Sequence, residues 1–320
     1  MLSYSTILTA ILPVFLVIGA GFLFQKRGWL GEELETGVMK LGLNLLLPCF
    51  ILHNIPGNPA LEEVSSTGWA MGIGFVLILV GFGAAWTLSR LAGMKRGQGL
   101  RTFTLTAGIQ NYGFLPIPIV LKLFPEEEGP LSLILVHGLG VELAVWTVGL
   151  WILTGHSGWR SLLNGPFLAT IFALILNYTG AYQFIPEIVN SFTGMLGACA
   201  IPMAIFMIGG TMGRFYDREI FRQADTFRAV VVSCAVRFGL LAAIFIAAAV
   251  FLPVSIDLKR VLVVQAAMPA AIYPIVLARL YGGHPPTAIQ VALATAAVSI
   301  FTAPAVISLG LKWIGAGVSV

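Results

Sequence analysis

Apolar residues run nearly unbroken along the chain for stretches of the length a helix needs to cross the membrane hydrocarbon, about 20 residues, and short polar clusters separate the stretches. The pattern predicts ten helical spans, at 5–25, 36–53, 66–89, 102–122, 131–154, 162–183, 188–212, 228–252, 259–280 and 286–311. Most have no charged residue in their interiors. Helices satisfy every backbone polar group within the segment, which a lipid solvent demands, so the expected fold is an all-α integral membrane protein.

Composition sharpens this picture. Of 320 residues, 58% are apolar and only 10% charged, against roughly 25% charged in a soluble domain; the mean hydropathy is +0.93. A soluble enzyme, a disordered chain and a disulfide scaffold are excluded. The net charge of +4 does not indicate nucleic acid, because the basic residues stand singly or in pairs between apolar runs. Cys49, Cys199 and Cys234 lie inside apolar segments without CxxC spacing, so neither a zinc site nor a disulfide is expected, and no cofactor. No Lys or Arg precedes Lys26, so the first apolar run reads as a span and not as a cleavable signal.

Alternate connections carry the basic charge. Lys26, Arg27, Arg90, Lys95, Arg96, Arg101, Arg160, Arg214, Arg218, Arg222, Arg228 and Arg279 fall on one side, and only Lys122, Lys259, Arg260 and Lys312 on the other. The bias of cytoplasmic loops toward Lys and Arg then puts both termini outside the cytoplasm, in the inner membrane of the cell. Two halves of five spans each, 1–154 and 162–320 joined by a linker at 155–161, would enter the membrane in opposite senses, as the inverted repeats of secondary transporters do. Pro13 and Pro166, Pro48 and Pro202, Gln110 and Gln265, and Pro118 and Pro274 stand 153, 154, 155 and 156 positions apart, as such a duplication would leave them.

Spans 4 and 9 are interrupted. The first reads Gln110-Asn111-Tyr112-Gly113-Phe114-Leu115-Pro116-Ile117-Pro118, the second Gln265-Ala266-Ala267-Met268-Pro269-Ala270-Ala271-Ile272-Tyr273-Pro274. Each proline removes a backbone donor, so both helices should break. Irregular backbone at membrane depth is tolerated only against protein or a wet cavity, and paired breaks in two halves mark a transporter's binding site. A pair of plain proline kinks is the structural alternative.

These residues resemble the auxin efflux carrier family. Val264-Gln265-Ala266-Ala267-Met268-Pro269 through Pro274, followed by Ala278-Arg279-Leu280-Tyr281 and His284-Pro285, looks like that family's ninth span. Asn111 with Gly113 and Ile117-Pro118-Ile119 is similar to its fourth, and Leu47-Pro48, Phe50 and Asn58-Pro59 to its second span and exit loop. The resemblance implies a ten-helix inverted repeat in which broken spans 4 and 9 cross, with spans 1, 2, 6 and 7 as scaffold and spans 3–5 and 8–10 as a moving transport domain. It implies an organic acid anion as substrate. The short linker 155–161 departs from the long hydrophilic loop of the plant proteins and points to a compact, bacterial-type member resembling malonate and malate permeases.

Read for chemistry, Gln110, Asn111, Gln265 and Tyr273 offer neutral donors beside half-helix N-termini, which suits a carboxylate; the alternative is that the amides satisfy backbone groups freed by the prolines. Asn44 is expected to bond between helices, and Gly68 with Gly72 to mark a close helix contact. His137 and Glu142 lie about 140° apart on a helix, so they share no metal face. Glu142 and Arg237 are charges at the centres of spans 5 and 8, without charged counterparts at Ala297 and Gly83 in the other half. They could form a static ion pair, Glu142 could bind a coupling proton or sodium, or the two could act independently. No nucleophile–base pair or paired aspartates stand in a span, so an intramembrane enzyme is not expected. A secondary carrier of a small organic acid, with lipid as its surroundings and a homodimer as a candidate assembly, is the reading adopted. A sodium-coupled carrier resembling bile-acid symporters, or a channel, is the alternative.

Overall fold

The computed structural model describes residues 4–95, 97–125, 127–156, 158–216 and 224–315. Both termini, and Arg96, Arg218 and Arg222 of the basic side, lie outside these residues.

The regular structure of the described residues is helical. In chain order these are α1 (Tyr4–Lys26), α2 (Glu32–Leu41), α3 (Leu47–Asn54), α4 (Val64–Leu88), α5 (Leu100–Gly108), α6 (Pro116–Leu123), α7 (Gly129–Ala144) and α8 (Leu150–Thr154). Then follow α9 (Gly165–Thr179), α10 (Glu187–Phe215), α11 (Ala224–Cys234), α12 (Ala242–Phe251), α13 (Ile256–Ala266), α14 (Tyr273–Leu280) and α15 (Pro285–Trp313). Wide π-helical turns at Gly42–Leu46, Val145–Gly149 and Ala235–Leu241 join α2 to α3, α7 to α8 and α11 to α12 without ending the helix.

Among the described residues, seven continuous helices are long and apolar enough to cross a membrane. The other three expected spans are shorter. The segment 162–183 holds only the 15-residue α9. Asn164 starts that helix by accepting from the Phe167 N–H, and Gly180, in the left-handed conformation, ends it. Segments 102–122 and 259–280 are each two short helices separated by irregular backbone.

Helix α1 packs along α10, and α10 and α9 both pack on α3. A second group joins α4 to α5 and α7, α13 to α7 and α12, and α15 to α5, α11 and α14, while α1 reaches across to α6 and α15. Small residues set the closest approaches. A Cβ on Gly21 would meet the Phe206 backbone and one on Gly209 the Ile18 backbone, fixing α1 against α10. Between α4 and α7 the same holds for Gly74 against His137 and Gly140 against Met71. The expected pair Gly68 and Gly72 faces no neighbour within 4 Å. The Gly-x-Gly pairs Gly72 and Gly74, and Gly81 and Gly83, also read as packing residues in the sequence, and the close contacts fall on Gly74 and Gly81. Asn44 is a second correction, since its amide donates to the Lys40 carbonyl of its own helix at 2.9 Å.

Candidate functional site

The two interruptions lie against each other. Helix α5 ends at Gly108, and Ile109 turns to an extended conformation, which carries Gln110 alongside Ala270 as an isolated antiparallel bridge. The Asn111 N–H donates to the Pro269 carbonyl at 2.8 Å, and the Ala271 N–H to the Ile109 carbonyl at 2.9 Å. Each break thus supplies backbone partners to the other, which answers how polar backbone survives at this depth.

The prolines sit where they cost least. Pro116 is the first residue of α6 and Pro118 the third, and Pro274 is the second of α14, all within first turns whose N–H groups have no intrahelical partner. The second half-helix of span 4 therefore starts at Pro116, and not after Pro118 as the sequence suggests. Pro269 lies in the irregular segment and gives only its carbonyl.

Side chains complete the closure. Gln265 is wholly buried, and its Nε2 donates to the Tyr112 carbonyl at 2.8 Å, linking the end of α13 to the first break. Asn111 is buried, and its Oδ1 accepts from the Leu115 N–H at 3.4 Å, before α6. Gln110 is wholly buried, and neither end of its amide finds a partner among the described residues. Tyr273 is exposed at the start of α14, edge-on to Trp146 with ring centroids 5.8 Å apart. Gln265 Nε2 and Asn111 Oδ1 thus bond to backbone groups around the first break, while Gln265 Oε1 and both ends of the Gln110 amide have no partner among the described residues.

The two mid-span charges have different partners. Glu142 accepts from Asn164 Nδ2 at 3.2 Å, a contact that ties α7 to the start of α9. Arg237 is wholly buried, and its Nη2 donates to the Met268 carbonyl at 3.2 Å, beside the second break. No ion pair joins Glu142 and Arg237 among the described residues, so the static pair is set aside. Both stand at π turns: Glu142 three residues before Val145–Gly149, Arg237 inside Ala235–Leu241. Such turns insert one residue into a helix and recur at functional sites.

Sequence reasoning missed two contributors. Thr295 of α15 accepts from the Ala270 N–H at 3.1 Å and itself donates to the Val291 carbonyl. Asn164 falls inside the expected span 162–183 and carries no role in the sequence reading. Neither is marked by spacing, because each acts on a residue far along the sequence; Asn164 before Gly165-Pro166 was at least recognisable as a helix cap.

Comparison with known proteins gives a concordant result. A family model described as "Membrane transport protein" matches residues 6–158 and 150–307, nearly the whole chain. A protein of Methanothermobacter thermautotrophicus named an uncharacterized transporter is 23% identical over 216 residues, 66% of this chain and 70% of its own length. An uncharacterized transporter of Methanocaldococcus jannaschii is 24% identical over 282 residues, 85% of this chain and 88% of its own.

Proposed function

The chain belongs to the membrane transport protein family, that of the auxin efflux carriers, and from that premise we propose that it is a secondary carrier of a small organic acid anion. As a member it is a multi-pass transport protein and not an enzyme. The observation that carries the proposal is the pair of helix interruptions hydrogen-bonded to each other through Asn111, Pro269, Ile109 and Ala271, with the buried amides of Gln110, Asn111 and Gln265 around them. Half-helices beginning at Pro116 and Tyr273 present positive ends beside neutral donors, a setting that replaces the hydration of a carboxylate.

On this reading the ten expected spans include α9 and the two interrupted pairs, spans 4 and 9 cross at their breaks, and the first packing group, α1 to α3 with α9 and α10, is the scaffold. The second group moves the site between the two faces by alternating access. Both termini face away from the cytoplasm, in the inner membrane. The packing of α1, α3, α9 and α10 on one another supports this division.

The test is binding and uptake of labelled malonate and malate by the purified protein in liposomes. Saturable uptake with counterflow from preloaded vesicles is the expected result, and an unsaturated ohmic current would instead identify a channel. Asn111→Ala removes one hydrogen bond to a charged group, worth about 1.5–3 kcal/mol, so affinity should fall roughly ten- to a hundredfold in a folded protein. Unchanged affinity would remove Asn111 from the site.

A further inference from the structure

Arg237 follows an unbroken apolar run, Ala235-Val236, in the middle of a helix of membrane-spanning length. The π turn Ala235–Leu241 surrounds it, and its guanidinium is fully withdrawn from solvent. One nitrogen, Nη2, is used on the Met268 carbonyl; Nε and Nη1 have no partner among the described residues. The other mid-span charge, Glu142, is bonded to Asn164 instead. A buried guanidinium with two idle nitrogens and no carboxylate is costly, and an anion met during the working cycle would offset that cost.

The backbone places a second idle group on the same side. Residues opposite each other in an antiparallel bridge send their side chains to one face, and the next pair sends them to the other. Ala270 belongs to the buried cluster that holds Val236 and Leu241 of the π turn, whereas Ile109 and Ala271 belong to a separate cluster with Val141 and Trp146. Gln110 stands opposite Ala270. Its amide, unpartnered at both ends, therefore belongs to the face that carries Arg237.

We propose that Arg237 and Gln110 form an anion subsite on the span-8 face of the paired breaks, and that its ligand is a carboxylate of the transported acid. The inference rests on the reading of the breaks as the substrate site, and it assigns the fixed positive charge there to Arg237. The Nε and Nη1 N–H groups and the Gln110 NH2 are donors that a carboxylate, an acceptor at both oxygens, can use together.

The experiment is thermal melting of the purified full-length protein in detergent, titrated with sodium acetate or sodium malonate at constant ionic strength against sodium chloride and sodium phosphate. Wild type should be stabilised saturably by at least one carboxylate and not by the inorganic anions. Arg237→Met strands the Met268 carbonyl but also removes an uncompensated buried charge and keeps the volume, so the two effects should offset and it should melt no lower than wild type without ligand. It should bind the carboxylate at least about tenfold more weakly, the loss of a charged hydrogen-bond partner. Arg237→Lys should recover part of the affinity, and Gln110→Leu should lower it less. An Arg237→Met protein that melts below wild type without ligand marks a structural brace for Met268 and overturns the proposal, as does wild-type affinity in that variant or equal stabilisation by chloride or phosphate. Loss of binding in Asn111→Ala with retention in Arg237→Met would reject this subsite and leave the carrier reading standing. Absence of carboxylate binding and uptake in wild type would reject both.

Discussion

In the first interruption much of the repair is local. Asn111 accepts from the Leu115 N–H four residues on, and besides the two backbone bonds to the second interruption the Tyr112 carbonyl accepts from Gln265 of α13. In the second interruption the repair is imported: Thr295 of α15 serves the Ala270 N–H, and Arg237 of the π turn serves the Met268 carbonyl. The two backbones answer each other in an antiparallel bridge, yet one side is closed by neutral amides and the other by a charge. The two interruptions thus differ in the chemistry that closes them, although their backbones pair in one bridge.

The contrast can be broken most severely from behind. Gly81 of α4 has no room for a Cβ against the carbonyl of Gly108, the last helical residue before the first interruption, whereas Gly239 in the π turn has open space. Gly81→Ala should destabilise by about 3 kcal/mol, the upper end of overpacking costs. Gly239→Ala should change stability by less than about 0.5 kcal/mol, as an unobstructed surface change does. Thermal unfolding of the two variants side by side measures this, and equal losses would erase the difference between the breaks.

A middle-sized effect is expected where the two sides are joined. Gln265→Leu strands the Tyr112 carbonyl, a buried acceptor, at a cost of about 2 kcal/mol. Loss of stability without loss of carboxylate binding would show Gln265 to be a clamp alone. The smallest stability effect belongs to Asn111→Ala, whose 3.4 Å bond to Leu115 is long. About 0.5 kcal/mol, the low end for a lost helix cap, is expected from the same unfolding measurement. A loss several times larger would make Asn111 the main support of its break and its effect on affinity indirect.

The breaks themselves were legible, because proline and paired amides leave a signature that does not depend on tertiary contacts. Their exact form was not. The start of α6 at Pro116 follows from the tolerance of proline in a first helical turn, which spacing alone does not reveal. The π turns beside Glu142 and around Arg237 have no marker in composition or periodicity, since one inserted residue only shifts the phase of an already apolar helix. The partner of Glu142 was hidden for another reason: Asn164 lies 22 positions away, across a connection that sequence shows only as a gap between spans. Glycine spacing likewise showed that α4 could be approached closely, while the choice of Gly74 and Gly81 over Gly68 and Gly72 is made by the neighbours.

The two backbone bonds between the breaks, Asn111 to Pro269 and Ala271 to Ile109, have a mechanical consequence. Two parallel fasteners resist shear and twist where one would act as a swivel, so the four half-helices α5, α6, α13 and α14 share a single pivot. Torque delivered to one pair reaches the other without slack, and neither can tilt alone until both fasteners are cut. The amides of Asn111 and Ala271 should then exchange with solvent deuterium in one correlated event, at a rate set by the opening of the whole joint.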